Sequence, residues 1–306
     1  MPVFFIITGF LINVDDISFG KLVRKKVKTI LIPYYFFAII TFVFWYFIET
    51  KFEEPVDRHQ DVINYSIGLL LGIPSKEYLG FNFPIWYLPS LFCSELLFFA
   101  IRKFFAKYAI LPIILSVGIG IFLTEIHFIR LPYGIDVSLF SILFIYIGYI
   151  SRKRNWIEKG ISSPRPFLKI ILILGFLLLT IIVSQVNTGE ELVSMVKRSF
   201  NNYLLFFIGG LSGTLFLLYL GSFFNKSAVF NFFGRNTVII LGFHLMTLTI
   251  IKGIQVFALK TPLSATDNNF IMSLAYTVLV FLLLTPVIYF INRYIPSLLG
   301  RKKAIL

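Results

Sequence analysis

Nine apolar stretches, separated by gaps of alternating charge, dominate this sequence of 306 residues. Twenty of the 28 Lys and Arg residues fall in every second gap, where only three acidic residues accompany them. The other gaps hold the remaining eight basic residues against eleven acidic ones. Backbone polar groups inside a bilayer must find partners within their own segment, so long apolar runs persist there only as helices. The pattern predicts an all-α polytopic membrane helix bundle with about nine transmembrane segments.

The predicted segments share a near absence of charge. They comprise residues 1–13, 30–48, 85–101, 109–124, 134–150, 167–185, 203–223, 236–254 and 272–293. Because Lys and Arg are retained on the cytoplasmic side of membrane proteins, the basic gaps and the C-terminus are predicted to face the cytoplasm. We therefore expect residues 1–295 to form one transmembrane domain and residues 296–306 to form a basic cytoplasmic tail.

The first segment poses a problem of topology. Nine crossings with a cytoplasmic C-terminus place Met1 outside, and residues 1–13 are shorter than the about 20 residues that span hydrocarbon. We therefore expect a further helix upstream of Met1. A short re-entrant N-terminus is the alternative.

The largest outer gap, residues 49–84, contains an apolar stretch of its own. This stretch, Tyr65–Ile73, is too short to span and predicts a half-buried interfacial helix. Such a helix covers either packed helices or a substrate entrance.

Composition argues against two kinds of site. The single Cys93 and the three histidines show no metal-ligand spacing of the CxxC or HExxH kind, so we expect no bound metal. The net charge of +13 is concentrated on one side of a membrane and has no recognition helix near it. We therefore expect the lipid bilayer, and no nucleic acid, as a partner.

Polar groups inside a membrane are costly, so each of them is a candidate for function. Glu95 lies in its segment with Arg102 seven residues later on nearly the same helical face, which leaves a structural pairing and a pocket role open. His244 lies near mid-depth, where a neutral imidazole either packs or accepts a proton. Asp136 follows a Pro-Tyr-Gly turn, where it either caps the helix or contacts substrate. Asn236 is predicted to be an N-cap.

The basic stretch before the second segment is the most directional feature. Its members Lys21, Arg24, Lys25 and Lys28 recur at spacings of three and four, which predicts a cationic helical face at the cytoplasmic surface. Two roles are open for this face: an anchor to anionic lipid, worth about 1 kcal/mol per basic residue, or a clamp for a phosphorylated ligand. Trp86 suits an aromatic belt at the membrane interface.

Six stretches of the sequence occur in a characteristic order. Each of them alone is too hydrophobic to be specific, but the order of all six is informative. They are MPVFFIITGFLI, KLVRKKVKTILIPYYF, PIWYLPSLFCSELLF, LPYGIDVSLFSILFIYIGY, FNNYLLFFIGGLSG and FFGRNTVIILGFHL. Together they resemble the acyltransferase 3 family, particularly its branch of fucose 4-O-acetylase and related sugar acetyltransferases. The resemblance covers nearly the whole chain and implies ten transmembrane helices, one more than the nine segments found here.

The resemblance also implies an activity. Members of this family move an acyl group, usually acetyl, from cytoplasmic acyl-CoA to a sugar hydroxyl of a surface polysaccharide or lipid-linked glycan, in the bacterial cytoplasmic membrane. By this analogy acetyl-CoA is a co-substrate, and its phosphates are held by Lys21, Arg24, Lys25 and Lys28. His244 and Glu95 are the candidates for acid–base chemistry. Trp86, Asp136 and Asn236 are expected near the substrates, with Trp86 stacking on a sugar face or on adenine.

One departure from the family pattern bears on activity. The family's proposed catalytic histidine precedes the motif that begins here at Met1, so no residue of this sequence matches it, and the chain alone is expected to be inactive. His244 matches a recurrent histidine of a late helix. A polysaccharide or glycolipid transporter and a non-catalytic membrane fragment are the alternative functions. Transporters commonly contain internal repeats, and no second copy is evident in the sequence.

Overall fold

The computed structural model describes residues 1–14, 17–49, 58–161, 166–261 and 269–301. Within these ranges the regular structure is helical, apart from one isolated antiparallel bridge between Ser194 and Ser199. The α-helices are α1 (Pro2–Leu11), α2 (Phe19–Lys26), α3 (Ile32–Phe47), α4 (Arg58–Leu71), α5 (Lys76–Leu79), α6 (Tyr87–Phe105), α7 (Ile110–Glu125), α8 (Ile135–Lys153), α9 (Trp156–Ile161), α10 (Pro166–Val186), α11 (Tyr203–Gly221), α12 (Ala228–Arg235), α13 (Thr237–Phe257) and α14 (Phe270–Tyr294). The prediction of an all-α polytopic membrane bundle is confirmed.

Seven helical runs of the described residues are long and apolar enough to cross a membrane, and α1 and α7 are shorter apolar helices. Each of the nine predicted segments overlaps one of these nine runs. The run Phe19–Phe47 begins earlier than the predicted segment, because the basic stretch that precedes residue 30 is helical as well.

The chain divides into two compact units, of which the first comprises Met1–Val23 and Ser90–Asn231. In this unit α1 packs against α8, and α10 packs against α11. The backbones of α1 and α8 approach closely at two glycines, since a Cβ atom on Gly9 would lie 1.9 Å from Ile145 O and one on Gly148 would lie 2.0 Å from Ile6 O. Small residues permit this kind of contact between membrane helices.

The second unit comprises Arg24–Pro89 and Phe232–Leu306, of which residues 50–57, 262–268 and 302–306 lie outside the described ranges. In this unit α13 packs against α3 and α14, and a 3₁₀ stretch, Gly80–Trp86, packs against α3 and α13. A second 3₁₀ turn, Pro296–Leu299, follows α14. The described part of the predicted cytoplasmic tail thus begins with this turn, and residues 302–306 of the tail lie outside the described residues.

The helix predicted at Tyr65–Ile73 forms the C-terminal part of α4, and it contacts α3. The Tyr34 hydroxyl, in the first turn of α3, donates to the carbonyl oxygens of Gly68 and Leu69 at 3.1 and 3.0 Å. The rings of Trp45 and Tyr65 meet edge to face at 4.7 Å. The helix α4 is half-buried, as predicted: it contacts α3 at these residues, while Ile63, Ile67 and Leu70 are exposed.

Candidate functional site

The imidazole of His244 is held by its own helix. Its Nδ1 atom lies 3.0 Å from Ile240 O and 3.1 Å from Leu241 O. A carbonyl oxygen only accepts hydrogen bonds, so a hydrogen bond here is donated by Nδ1, and in the neutral imidazole with this tautomer Nε2 is the acceptor. The side chain is half-buried in α13. Of the two alternatives left by the sequence, this geometry suits a proton acceptor as well as a packed residue.

The neighbouring turn of α13 is bound by a side chain that the sequence analysis did not single out. Asn82, in the 3₁₀ stretch, is 1 % exposed. Its Nδ2 atom donates to Gly242 O at 2.8 Å and to Thr41 Oγ1 at 3.3 Å. The amide therefore joins α3, the 3₁₀ stretch and α13 two residues before His244.

Trp86 ends the same 3₁₀ stretch and is 2 % exposed. Its ring meets the ring of Tyr87 edge to face, with the centroids 6.3 Å apart. Stacking on a sugar or on adenine requires an open ring face, and in this arrangement the ring of Trp86 is packed inside the protein. Its contact with a substrate remains a prediction.

The four residues of the basic stretch, Lys21, Arg24, Lys25 and Lys28, are all exposed, whereas Leu22 between them is buried. The α-helical part of this stretch, α2, ends at Lys26, so Lys28 lies in the π-helical turn that follows, Val27–Leu31. In this turn the N–H group of Ile32 donates to Val27 O, five residues back. The cause is Pro33, which has no N–H group and whose ring crowds the carbonyl four residues earlier.

Asn236 occupies the N-cap position of α13, as predicted, but its side chain makes no hydrogen bond to the first turn of the helix. Its Oδ1 atom accepts from Asn292 Nδ2 at 2.9 Å and from Arg301 Nη1 at 3.1 Å, and its Nδ2 atom donates to Phe232 O. Arg301 also donates to Asn292 Oδ1 and Arg235 O. Burial lowers the pKa of the Arg301 guanidinium. Asn236 thus ties α13, α14 and the C-terminal turn together.

The C-terminal turn also reaches the basic stretch of this unit. Gly300 adopts a left-handed conformation with φ of +66°, and a Cβ atom there would lie 2.5 Å from Thr29 Cγ2. The turn Pro296–Leu299 packs against the π-helical turn that contains Lys28. Arg301 is therefore a cation of this region that the sequence alone did not associate with the basic stretch.

A second polar centre lies in the first unit, around Asp136. This carboxylate is 1 % exposed in the first turn of α8, and its Oδ2 atom lies 3.1 Å from Arg130 Nε and 3.7 Å from Arg198 Nε. Arg130 also donates to Val196 O, and Arg198 donates to Phe128 O. Burial lowers the pKa of Arg130 to about 10, although Asp136 opposes this shift.

The ion pairs of Asp136 connect two loops of the first unit. Arg198 holds a left-handed φ of +59°, which is uncommon for a residue with a long side chain. Its guanidinium reaches Asp136 from the hairpin 194–199, and Arg130 reaches the same carboxylate from the loop before α8. The sequence placed Asp136 at a helix mouth but did not identify either arginine as its partner.

Glu95 is 2 % exposed in α6. The expected partner, Arg102, donates to Tyr149 OH at 3.1 Å and to Ala106 O, and its guanidinium lies 4.9 Å from the centroid of the Tyr149 ring. These contacts direct Arg102 to α8 and to the turn that follows α6, whereas Glu95 lies in the middle of α6. The guanidinium of Arg102 is therefore positioned by these contacts and not by pairing with Glu95.

Serine hydroxyls join α6 to α8 beside Glu95. The Oγ atoms of Ser94 and Ser141 lie 2.6 Å apart, and Ser138 Oγ donates to Ser90 O at 3.1 Å. These bonds satisfy buried polar groups between two helices of a membrane protein. Among the described residues no group of three or more His, Cys, Asp and Glu side chains is placed to hold a metal ion.

Comparison with known proteins gives one match. A family model described as acyltransferase domain, of the acyltransferase 3 type, matches residues 1–293. No curated protein and no solved structure shows a significant match to the chain.

Proposed function

Because the chain belongs to the acyltransferase 3 family and is a multi-pass membrane protein, we propose that it moves an acetyl group from cytoplasmic acetyl-CoA to a sugar hydroxyl. The proposed acceptor is a surface polysaccharide or a lipid-linked glycan. The proposed setting is a bacterial cytoplasmic membrane with the basic gaps and the C-terminus on the cytoplasmic side.

The observation that carries the proposal is the match of residues 1–293 to the acyltransferase 3 family, and His244 is this chain's own candidate for acid–base chemistry. A hydroxyl that attacks a thioester must lose its proton to a base in the transition state. A hydrogen bond from Nδ1 to the helix carbonyls leaves Nε2 of a neutral imidazole as the atom that would accept this proton. The new ester C–O bond forms as the C–S bond breaks, and the proton passes to the leaving CoA thiolate. Atoms and charge then balance, with the acetylated sugar and free CoA as products.

The remaining candidates have narrower roles in this proposal. The exposed Lys21, Arg24, Lys25 and Lys28 suit the phosphates of CoA, because ammonium and guanidinium groups form charge-assisted hydrogen bonds with phosphate. Glu95 is the second candidate for acid–base chemistry and is the more buried of the two. Trp86 and Asn236 in the second unit and Asp136 in the first are each at most 5 % exposed, and a contact of any of them with substrate remains a proposal.

The test uses a strain in which the gene is deleted and then restored as its full reading frame. The measured quantity is the amount of O-acetyl groups on isolated surface glycan, with the protein level checked by immunoblot. Loss of acetylation on deletion and its return on complementation support the proposal. Unchanged acetylation after deletion contradicts it and favours transport.

The role of His244 is tested in the same strain with a matched pair of variants. His244→Asn is expected to lower acetylation by about 10²-fold or more, the range typical for loss of a general base. His127→Asn is the control, because His127 is exposed and has a left-handed φ of +49° that asparagine tolerates. Equal acetylation in both variants would exclude His244 as the base.

A further inference from the structure

The guanidinium of Arg301 is held in place by neutral groups. Its Nη1 atom donates to the side-chain oxygens of Asn236, at 3.1 Å, and of Asn292, and its Nη2 atom donates to Arg235 O. Among the described residues no carboxylate lies within ion-pair distance of it. In the first unit, by contrast, two guanidiniums share the carboxylate of Asp136. Arg301 is therefore fixed in direction while its charge is not neutralised.

The same guanidinium keeps donors for a ligand. Arginine carries five N–H donors, and the Nε–H group and one N–H of Nη2 have no partner among the described residues. Nε and Nη2 lie on one edge of the planar group, and arginine binds phosphate through such an edge with two parallel hydrogen bonds. The residue is exposed to solvent. Because its partners already hold the group, binding of a ligand costs little further ordering.

The surroundings of Arg301 in the second unit are strongly cationic. The parts of this unit that are predicted to face the cytoplasm contain nine basic residues and no acidic one: Arg24, Lys25, Lys26, Lys28, Arg235, Arg293, Arg301, Lys302 and Lys303. The C-terminal turn brings Arg301 to the basic stretch, since a Cβ atom on Gly300 would lie 2.5 Å from Thr29 Cγ2, beside Lys28 in sequence. Such a surface attracts an anion that carries several charges.

We propose that Arg301 binds the 3′-phosphate of acyl-CoA, with Lys28 as a neighbouring cation. The inference rests on the proposed function, because it takes acyl-CoA as the donor. The 3′-phosphate is a monoester with a charge of about −1.5 to −2 at neutral pH, and it has more free oxygens than either phosphorus of the pyrophosphate bridge. It also lies at the end of CoA opposite to the thioester. An exposed arginine can therefore bind it while the thioester reaches into the protein.

The experiment compares CoA with dephospho-CoA, which lacks only the 3′-phosphate. The purified product of the full reading frame is placed in nanodiscs of neutral phosphatidylcholine, and the Kd of each ligand is measured by calorimetry. We expect dephospho-CoA to bind about tenfold more weakly than CoA, because it loses charge-assisted hydrogen bonds. Arg301→Gln is expected to abolish this preference and to leave the Kd of dephospho-CoA within about twofold. An equal change for both ligands, or no change for either, would overturn the inference.

A second variant separates the charge of Arg301 from its role in tying the C-terminal turn to α13 and α14. Asn292→Asp keeps the oxygen atom that accepts from Arg301, gives up one hydrogen bond to Asn236 and adds a negative charge. If the unneutralised charge binds phosphate, the preference for CoA falls several-fold although the tie is kept. An unchanged preference would show that Arg301 is a structural tie only.

The matched control is Arg293→Gln. Arg293 is an exposed cation in the last turn of α14, and its guanidinium lies over the ring of Tyr294. We expect this variant to keep the preference for CoA within about twofold. A loss as large as that in Arg301→Gln would show that the general charge of the surface sets the preference, which would refute the assignment of Arg301.

Two further measurements identify the source of the phosphate and separate the inference from the proposed function. Phosphatidylglycerol is added to the protein in detergent, and Tm is measured: if Arg301→Gln abolishes a rise in Tm but keeps the preference for CoA, the arginine binds lipid and the inference fails. The same preparations are assayed for transfer of radiolabelled acetyl groups to glycan. Preferential binding of CoA without transfer would contradict the proposed function alone, whereas transfer with equal Kd values for the two ligands would overturn the inference alone.

Discussion

Substitution of Gly148 by alanine is the sharpest test of the packing in the first unit. The added methyl group would lie 2.0 Å from Ile6 O and 2.9 Å from Phe10 N. Both atoms belong to the backbone of α1, so rotation of a side chain cannot relieve the clash. An ordinary contact begins at 3.4 Å, and the two helices must therefore separate locally by about 1.4 Å. Gly9→Ala produces the same clash from the other helix, with Ile145 O at 1.9 Å.

The loss of stability comes from the side-chain contacts that weaken when α1 and α8 separate. Phe5 and Ile6 of α1 are 0 % and 1 % exposed, and a radial gap of about 0.5–1 Å forfeits a quarter to a half of the dispersion energy of a contact. Overpacking of this kind typically costs about 1–3 kcal/mol. Alanine returns up to about 1 kcal/mol through its higher helix propensity. We therefore expect Gly148→Ala to lose about 1–2 kcal/mol of stability.

The chain provides both the assay and the controls for this prediction. Cys93 is the single cysteine of the sequence and is half-buried in α6, so a thiol-reactive fluorescent dye reports unfolding in detergent on heating. Gly118→Ala and Gly175→Ala are the controls, since a Cβ atom at either position meets no atom within 4 Å. We expect Tm to fall by roughly 2–6 °C in Gly148→Ala and to stay or rise in the controls. Equal Tm values for all three variants would refute the close approach of α1 and α8.

Three further predictions concern buried charge, cationic surface and the α4 contact. Asp136→Asn leaves two guanidiniums without their carboxylate and is expected to cost about 3–5 kcal/mol in the same thermal assay, whereas Lys197→Gln in an exposed pair is expected to cost less than about 1 kcal/mol. Lys28→Gln is expected to raise KM for acetyl-CoA several-fold at unchanged kcat. Lys159→Gln is the control, because Lys159 is also exposed. An equal KM in the two variants would contradict the prediction. Tyr34→Phe removes the hydroxyl bonded to α4 carbonyls and is expected to cost about 1 kcal/mol by the thermal assay.

The helices were predictable because their signal is local. A run of apolar residues can satisfy its backbone in lipid only by forming a helix, whatever its neighbours are. The nine predicted segments accordingly overlap nine apolar helical runs in the described residues. The sequence analysis did not predict the π-helical turn at Val27–Leu31, because it treated Pro33, the cause of the turn, as part of the following helix. A proline four to six residues after a basic helical run was the signal that could have revealed it.

The polar centres were predictable only in part, because their contacts are distant in sequence. Asp136 was identified as a polar residue at a helix mouth, but its partner Arg198 lies 62 residues later in a hairpin turn. Asn82 falls in the outer gap of residues 49–84, outside every predicted segment. Nothing near it in sequence indicates the carbonyl of Gly242, 160 residues away. Such pairs follow from the packing of helices and not from their composition.

His244 combines both kinds of information. Its contact with Ile240 O, 3.0 Å from Nδ1, is a local matter, since a histidine in a helix can donate to the carbonyls three and four residues earlier. The placement of the turn that carries His244 depends instead on packing, because Asn82 of another segment donates to Gly242 O in that turn. The sequence therefore indicates the local contact of His244, while the position of its turn follows from how the helices pack.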